Sequence, residues 1–530
     1  MSTYDYVIVG AGSAGCVLGA RLSEHSGTSV AVVEGGGPDK NPMIKIPKGF
    51  GKLLGNPDYA WYYPTVPGPT GRVEAWVRGK TLGGSSAING LVYNRGAKAD
   101  WDELEKRGNK GWNWDTILPA YKKIENNTFG ASPTRGVGGP ITITSPNSEE
   151  LLNGAALEAG RALGLDVVQD YNESDVPRIG RTMANISKGR RVSAAHAFLH
   201  PASKRPNLTV ITGAVATSVI FEGDRAVGVR VRQGGTTTEI RAKKEVILSL
   251  GSLATPKLLQ LSGIGPSEVL KAAGVDVRVA NDNVGAHMHE HLCFTVQARL
   301  NQNVGYNKKL ASKLAQNIEG VKYLATHKGI LAGASYDIIG FVKTRPELDR
   351  IDGQILFSPF SMASLKPGQN PELDPQPGMQ VIGFVSRPTS DGRVAITSSD
   401  PDAPSEVVPN YYTSDYDRQT GLGLIRKMRE LFAQAPLAKY IDHEITPGAS
   451  VVSDDDLIEM TLNVGYCGYH AISTCAMGPD ESDVVDSQLR VRGVSGLRVM
   501  DCSVLPTMVA GNLNGPMMAM AHVAADVIRD

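Results

Sequence analysis

Cysteine is scarce in this chain: five residues in 530, Cys16, Cys293, Cys467, Cys475 and Cys502, odd in number and far apart. That scatter excludes a disulfide-stapled secreted scaffold and points to a reducing, cytoplasmic compartment. No charge of one sign prevails either, because 54 Lys and Arg balance 54 Asp and Glu. Without a global basic field, nucleic acid is not an expected partner. Also missing is any run of about 18 uncharged apolar residues, so no integral membrane segment is expected. The N-terminus lacks the basic leader and apolar stretch of a signal peptide. Internal repeats and low-complexity tracts are absent as well, which excludes solenoids and disordered linkers.

What remains is the make-up of an ordinary soluble globular chain, 41% hydrophobic and 20% charged, long enough for a large core across two domains. Glycine is the residue in excess. Its 59 copies are about 11% of the chain against a usual value of roughly 7%, and they follow no Gly-X-Y period. Tight turns and close backbone approach to a ligand are the uses this suggests.

The apolar, β-branched run Tyr4 to Val9 leads directly into Gly10-Ala11-Gly12-Ser13-Ala14-Gly15, and Cys16 to Leu22 then follows helical spacing. A second β-branched run, Val30 to Val33, ends in Glu34, which completes a βαβ unit. Gly10, Gly12 and Gly15 fit the tight turn, the backbone access for a pyrophosphate and the close helix–strand packing of a dinucleotide site. Ser13 and Ala14 open the helix whose N-terminus faces the phosphates. Glu34 at the second strand end can accept from both ribose hydroxyls of an adenosine, which disfavours a phosphorylated ribose. These features alone do not separate NAD from FAD.

Beyond them, Gly35 to Gly84, rich in Gly, Pro and aromatics, reads as a long irregular excursion, and Leu104 to Glu125 as one helix. Gly139 to Thr144 reads as an edge strand, Asn207 to Thr212 and Ala226 to Gln233 as paired strands, and Glu245 to Leu250 as a strand of the nucleotide domain. Val381 to Val385 and Arg393 to Thr397 look like strands of a second domain, with Thr420 to Gln434 a helix. The strand Leu497 to Met500 and helix Met517 to Ile528 return to α/β character, so the nucleotide domain is discontinuous.

Two long motifs carry a family resemblance. Arg78-Gly79-Lys80-Thr81-Leu82-Gly83-Gly84-Ser85-Ser86-Ala87-Ile88-Asn89-Gly90 and Gly251-Ser252-Leu253-Ala254-Thr255-Pro256-Lys257-Leu258-Leu259-Gln260-Leu261-Ser262-Gly263-Ile264-Gly265-Pro266 resemble the two signatures of the glucose-methanol-choline (GMC) family of FAD-dependent oxidoreductases. The likeness continues through Asn283-Val284-Gly285, Pro388 to Arg393 and Asp501 to Asp526, hence over essentially the whole chain. It implies an α/β fold with a Rossmann-like FAD-binding domain and a discontinuous α+β substrate-binding domain on a mainly antiparallel sheet. The expected division is 1–155, 205–295 and 466–530 for FAD, and 156–204 and 296–465 for substrate. Leu82, Gly83, Gly84, Ser85, Asn89 and Gly90 would then line pyrophosphate and flavin, Ala216 would meet the adenine, Gly251 would serve the cofactor through its backbone near the flavin domain, and Asp501 would stand near the ribityl or phosphate portion. Asn514 and Met517 would approach the pyrimidine end of the flavin. Since no histidine lies between Ser85 and Tyr93, the FAD is expected to be non-covalent.

Within the same resemblance, His470 in Val464-Gly465-Tyr466-Cys467-Gly468-Tyr469-His470 matches the catalytic base, and Asn512 the partner that holds the substrate oxygen, with Asn514 as its rival. The implied reaction oxidises a small alcohol to an aldehyde or ketone, by proton abstraction and hydride transfer to flavin N5. Either oxygen or a quinone-type carrier is the acceptor. The alternative within the family is a hydroxynitrile lyase without net redox change. Tyr466, Cys467 and Tyr469 are candidate pocket residues, and Ala471, where proline is common, suggests a freer base loop. His287, His289 and His291 alternate as three imidazoles on one strand face would, yet they follow Asn283-Val284-Gly285 and are read as structural or solvent-facing. No metal is expected.

Overall fold

The computed structural model describes residues 2–146, 149–363 and 372–529. Two sheets organise it. The first has seven strands, in the order Leu208–Thr212, Val30–Glu34, Ser2–Val9, Thr236–Leu248, Arg225–Gln233 and Ala214–Glu222, with Leu497–Val499 added beside Thr236–Leu248. Its centre is parallel: Ser2–Val9 pairs with Val30–Glu34 on one side and Thr236–Leu248 on the other. Strands buried on both faces read as continuous apolar runs, and Val30–Glu34 is buried at every position. The Ser13–Leu22 helix packs on this sheet and against the last helix, Asn514–Arg529, which joins the C-terminus to the first βαβ unit.

The second sheet has eight strands, seven of them in the order Ile441–Thr446, Leu292–Leu300, Gly378–Val385, Gly353–Ser358, Ile338–Val342, Arg178–Arg181 and Asp166–Val168, with Tyr466–Cys467 paired to the start of Leu292–Leu300. Every neighbouring pair is antiparallel except the last. The Asp415–Ala433 helix covers it through Leu424, Ile425, Met428 and Leu431, all fully buried. The strand Leu292–Leu300 runs through the expected divide at 295, and Tyr466–Cys467 lies beyond 465. Pairing therefore extends the second sheet a few residues into both flanking segments.

Several expectations change in detail. Leu104 to Glu125 is two helices, Lys98–Lys106 and Trp114–Ile124, because Gly108 and Gly111 take positive φ (93° and 86°) between them. Inside the supposedly irregular stretch lies a hairpin, Ala60–Pro64 against Ala75–Gly79. Asn207 to Thr212 and Ala226 to Gln233 are not partners: Leu208–Thr212 lies parallel to Val30–Glu34, whereas Arg225–Gln233 sits between Ala214–Glu222 and Thr236–Leu248. All five cysteines are free thiols. No helix among the described residues is long and apolar enough to cross a membrane.

Candidate active site

The glycine turn is built as a dinucleotide cradle requires. Gly10 has φ +104°, and a Cβ on it would stand 2.4 Å from the Ser249 carbonyl oxygen; a Cβ on Gly15 would stand 1.8 Å from that of Gly10. Neither position admits a side chain. The Ser13–Leu22 helix starts at Gly12 without a side-chain cap, which leaves its first amides free for an anion. Glu34 is buried, and its two carboxylate oxygens accept from Ala11 N at 2.9 Å and Gly36 N at 2.8 Å. Burial pushes its pKa up and those two bonds oppose the shift. Each oxygen keeps a lone pair for a ribose hydroxyl.

The second glycine stretch folds onto the first. Gly83 N donates to Ala11 O at 2.8 Å, and Gly84 lies over the Gly12 backbone. Leu82 is buried there, whereas Ser85 is exposed and its hydroxyl accepts from Gly79 N at 3.1 Å. Asn89 accepts from Arg191 at 2.8 Å, next to half-buried Gly90. Asn514 Oδ1 accepts from Ser13 Oγ at 2.7 Å, which ties the start of the last helix to the start of the first. Met517 is buried one turn on, and its amide donates to Leu513 O. Gly251 N and Thr255 Oγ1 both donate to Asp501 Oδ2, at 2.9 and 2.6 Å. Ala216 lies half-buried in Ala214–Glu222, the outer strand of the first sheet. The turn, both signature segments, Glu34 and Asp501 thus converge at the ends of the central parallel strands, where open α/β sheets bind nucleotides. A cradle that excludes side chains, uncapped helix amides and a buried carboxylate with spare lone pairs fit FAD.

The base loop is held by the second sheet. Tyr466–Cys467 pairs with Leu292 and Cys293, Gly468 N donates to His291 O at 2.7 Å, and Ile472 N to His289 O at 3.0 Å. Ala471 does not loosen the loop, because its carbonyl accepts from Ser252 Oγ. Beneath His470 lies Glu290, whose side chain is fully buried. It accepts from His470 N at 2.7 Å, from His291 N at 2.8 Å and from Cys467 Sγ at 3.2 Å, with Arg78 at 3.5 Å. Burial raises its pKa, and Arg78 and these donors oppose the shift. Cys467 is buried, and its thiol points into this cluster. Tyr466 is half-buried and Tyr469 is 42% exposed at φ +65°, with Arg78 over its ring.

His470 and Asn512, 42 positions apart, meet at 3.1 Å, His470 Nε2 to Asn512 Nδ2. Asn512 Oδ1 accepts from Gln354 Nε2 at 3.1 Å, and Gln354 is fully buried. The loop carrying Asn512 is fixed by Asp100, which accepts from Ala510 N at 3.0 Å, and by Asn94, which donates to Ala510 O at 2.6 Å. On the other side of the ring, His470 Nδ1 lies 2.9 Å from His291 Nδ1, and His291 Nε2 lies 3.1 Å from Ser386 O. His291 is fully buried and stacks on Phe384 with ring centroids 4.4 Å apart.

One proton arrangement satisfies this chain. A carbonyl only accepts, so His291 Nε2 carries hydrogen and its Nδ1 is a lone pair, as burial pushes its pKa down to about 4. His470 Nδ1 must therefore donate, leaving a lone pair on Nε2 toward Asn512. Burial, then His291 and Arg78, hold the His470 pKa well below the usual histidine range. The three neighbouring histidines diverge instead of sharing a face. His287 takes φ +55° and pairs with Asp391 at 2.8 Å, His289 reaches Ser390 O, and only His291 reaches the base. No His/Cys/Asp/Glu cluster suited to a metal occurs among the described residues.

His291, Glu290, Gln354 and Arg191 were not singled out as site residues from sequence. Arg191 is a buried guanidinium that donates to Ile44 O, Ser86 O, Pro47 O and Asn89 Oδ1, and burial lowers its pKa to about 9. It ties the first signature segment to the residues around Pro47.

Comparison with known proteins points one way. Family models described as GMC oxidoreductase match residues 4–293 and 388–521. The chain is 36% identical over 533 residues to an oxygen-dependent choline dehydrogenase of Photobacterium profundum, covering 99% of this chain and 93% of that one. Among solved structures it resembles pyridoxine 4-oxidase from Mesorbium loti (TM-score 0.88, 27% identity, 99% of this chain and 98% of that one). It also resembles a variant formate oxidase of Aspergillus oryzae RIB40 (TM-score 0.91, 25% identity, 100% and 98%).

Proposed function

The chain belongs to the GMC oxidoreductases and is an FAD-dependent oxidoreductase, and from that premise we propose that it oxidises a small alcohol, with His470 as base and Asn512 as the group that holds the substrate oxygen. The observation that carries the proposal is the pairing of His470 Nε2 with Asn512 Nδ2 at 3.1 Å, on a base whose free lone pair is fixed by His291. A hydroxyl entering between them finds an acceptor for its proton and a donor for its oxygen. Gly10 to Gly15, Glu34, Leu82 to Gly90, Gly251 and Asp501 would hold FAD non-covalently, and the bound flavin would supply the two-electron acceptor. As the proton arrives at Nε2, His470 becomes a cation whose Nδ1–H stays on neutral His291. The Glu290 bond to its backbone keeps the ring in register.

Glu290, the carboxylate set against the base loop, is fully buried and paired with Arg78, so it does not face a substrate cation. Tyr466, Tyr469 and Tyr336, which bonds Tyr466, add aromatic surface beside the base loop, a surface that suits an apolar substrate and a quaternary ammonium alike. Anaerobic mixing with a panel of neutral aliphatic, aromatic and sugar alcohols and choline tests the reading through bleaching of the flavin absorbance. At least one alcohol of the panel is expected to bleach it, and His470→Ala to abolish that bleaching. Subsequent exposure to air or to a soluble quinone identifies the acceptor. A flavin that no alcohol bleaches would overturn the redox assignment in favour of the lyase reading.

A further inference from the structure

The Lys313–Thr326 helix is turned inside out. It meets the body of the protein through Tyr323, 3% exposed, whose hydroxyl donates to Gly189 O at 3.0 Å. Its apolar residues point the other way: Leu314, Ile318, Val321 and Leu324 are 71%, 58%, 66% and 70% exposed. At helical spacing these four share one arc opposite Tyr323. A helix that packs on its own core carries the reverse polarity. Large side chains gathered in an exposed patch mark a contact surface.

The charge around this stripe is one-sided. The segment 301–336 carries Lys308, Lys309, Lys313, Lys322 and Lys328, all exposed, and a single acid, Glu319, which is largely buried, although the whole chain is balanced. Lys313 and Lys322 stand on opposite flanks of the apolar arc. We propose that this helix docks the protein peripherally on an anionic lipid bilayer. The four apolar side chains enter the headgroup boundary while the lysines meet anionic headgroups. A second copy of the chain fits less well. Two-fold packing would bring the same lysines face to face, and one short helix face falls below the area of a stable interface, about 800 Å² per partner.

The test is cosedimentation of the FAD-loaded protein with phosphatidylcholine vesicles and with vesicles in which about a third of the lipid is phosphatidylserine. Binding is expected to the anionic vesicles and to weaken with added salt. Leu314→Ser with Ile318→Ser, and separately Lys313→Glu with Lys322→Glu, should each lower the partition coefficient by about tenfold or more. Flavin content and turnover with a water-soluble acceptor should stay at wild-type values. Absence of binding to both vesicle types, binding that neither double variant weakens, or equal binding to neutral vesicles would overturn the proposal. So would a wild-type dimer, seen by sedimentation velocity, that the serine variant converts to monomer.

Discussion

Replacing His291 by alanine tests the proton arrangement at the base. In the native site His470 Nδ1–H donates to His291 Nδ1 at 2.9 Å, in surroundings that exclude water from His291 altogether. Deleting the acceptor leaves that N–H unpaired, at about 1–3 kcal/mol. The ring escapes the penalty by moving its proton to Nε2, the atom proposed to accept the substrate proton. A penalty of that size corresponds to a fall in kcat of about 5- to 160-fold, with a smaller change in KM because Asn512 and its partners are untouched. His291→Asn should recover about tenfold over alanine, since its Oδ1 replaces the lost acceptor while the Ser386 bond is given up. Removing a ring stacked on Phe384 also opens a cavity at about 2–4 kcal/mol, so kcat is compared well below each variant's melting midpoint. Nitrogen NMR of the His470 ring supplies the readout that mere destabilisation would not move: hydrogen on Nδ1 in wild type, shifted toward Nε2 in the alanine variant. Unchanged kcat in His291→Ala, or a wild-type ring protonated on Nε2, would refute the reasoning.

Three further outcomes follow from the same geometry. If His470 is the base, as proposed, it works deprotonated and its pKa lies below the usual histidine value of about 6.5, so kcat/KM should be flat from pH 8 down to 6.5 and fall only in more acid solution; an acid limb centred at or above pH 7 contradicts this. His291 binds its proton more weakly folded (about 4) than unfolded, so its contribution to stability is complete above about pH 6.5 and about 3 kcal/mol is lost on descending to pH 4; equal urea midpoints at pH 7 and 4.5 would contradict it. Gly511 has φ +92°, and a Cβ there would stand 2.4 Å from Asn94 Nδ2 and 2.6 Å from Gln354 Oε1. Gly511→Ala should displace Asn512 and lower kcat by about tenfold or more, since a 1 Å misplacement can cost about 100-fold. Flavin content should be retained, and an unaltered kcat would show that the loop position is not needed.

How far the sequence reports this molecule depends on whether a signal is local. Gly10 to Gly15 and Glu34 are legible because strand, turn and helix follow one another and the needed residues sit on that short unit. The hairpin Ala60–Pro64/Ala75–Gly79 was lost because its prolines and glycines look like loop punctuation, while the alternation of Trp61, Tyr62 and Tyr63 is only three residues long. Catalytic partners are a harder case. Position 291 lies 179 residues from His470, and its neighbours invite a reading as one of three aligned imidazoles. The positive φ of His287 breaks that alignment, but no residue type at 287 announces it.

The Lys313–Thr326 helix shows the limit most plainly. Its 3.6-residue periodicity is readable, yet periodicity states only that an apolar stripe exists, not which body covers it. Deciding between the protein's own core and a foreign surface needs the anchor, Tyr323, and its partner Gly189, which is 134 positions away. The same holds at the active site. Residue types name the chemistry available, but which nitrogen of His470 is free follows only from the carbonyl of Ser386, two hydrogen bonds away. On the proposed reading, function in this chain is therefore encoded less in the identity of the base than in the groups that orient it.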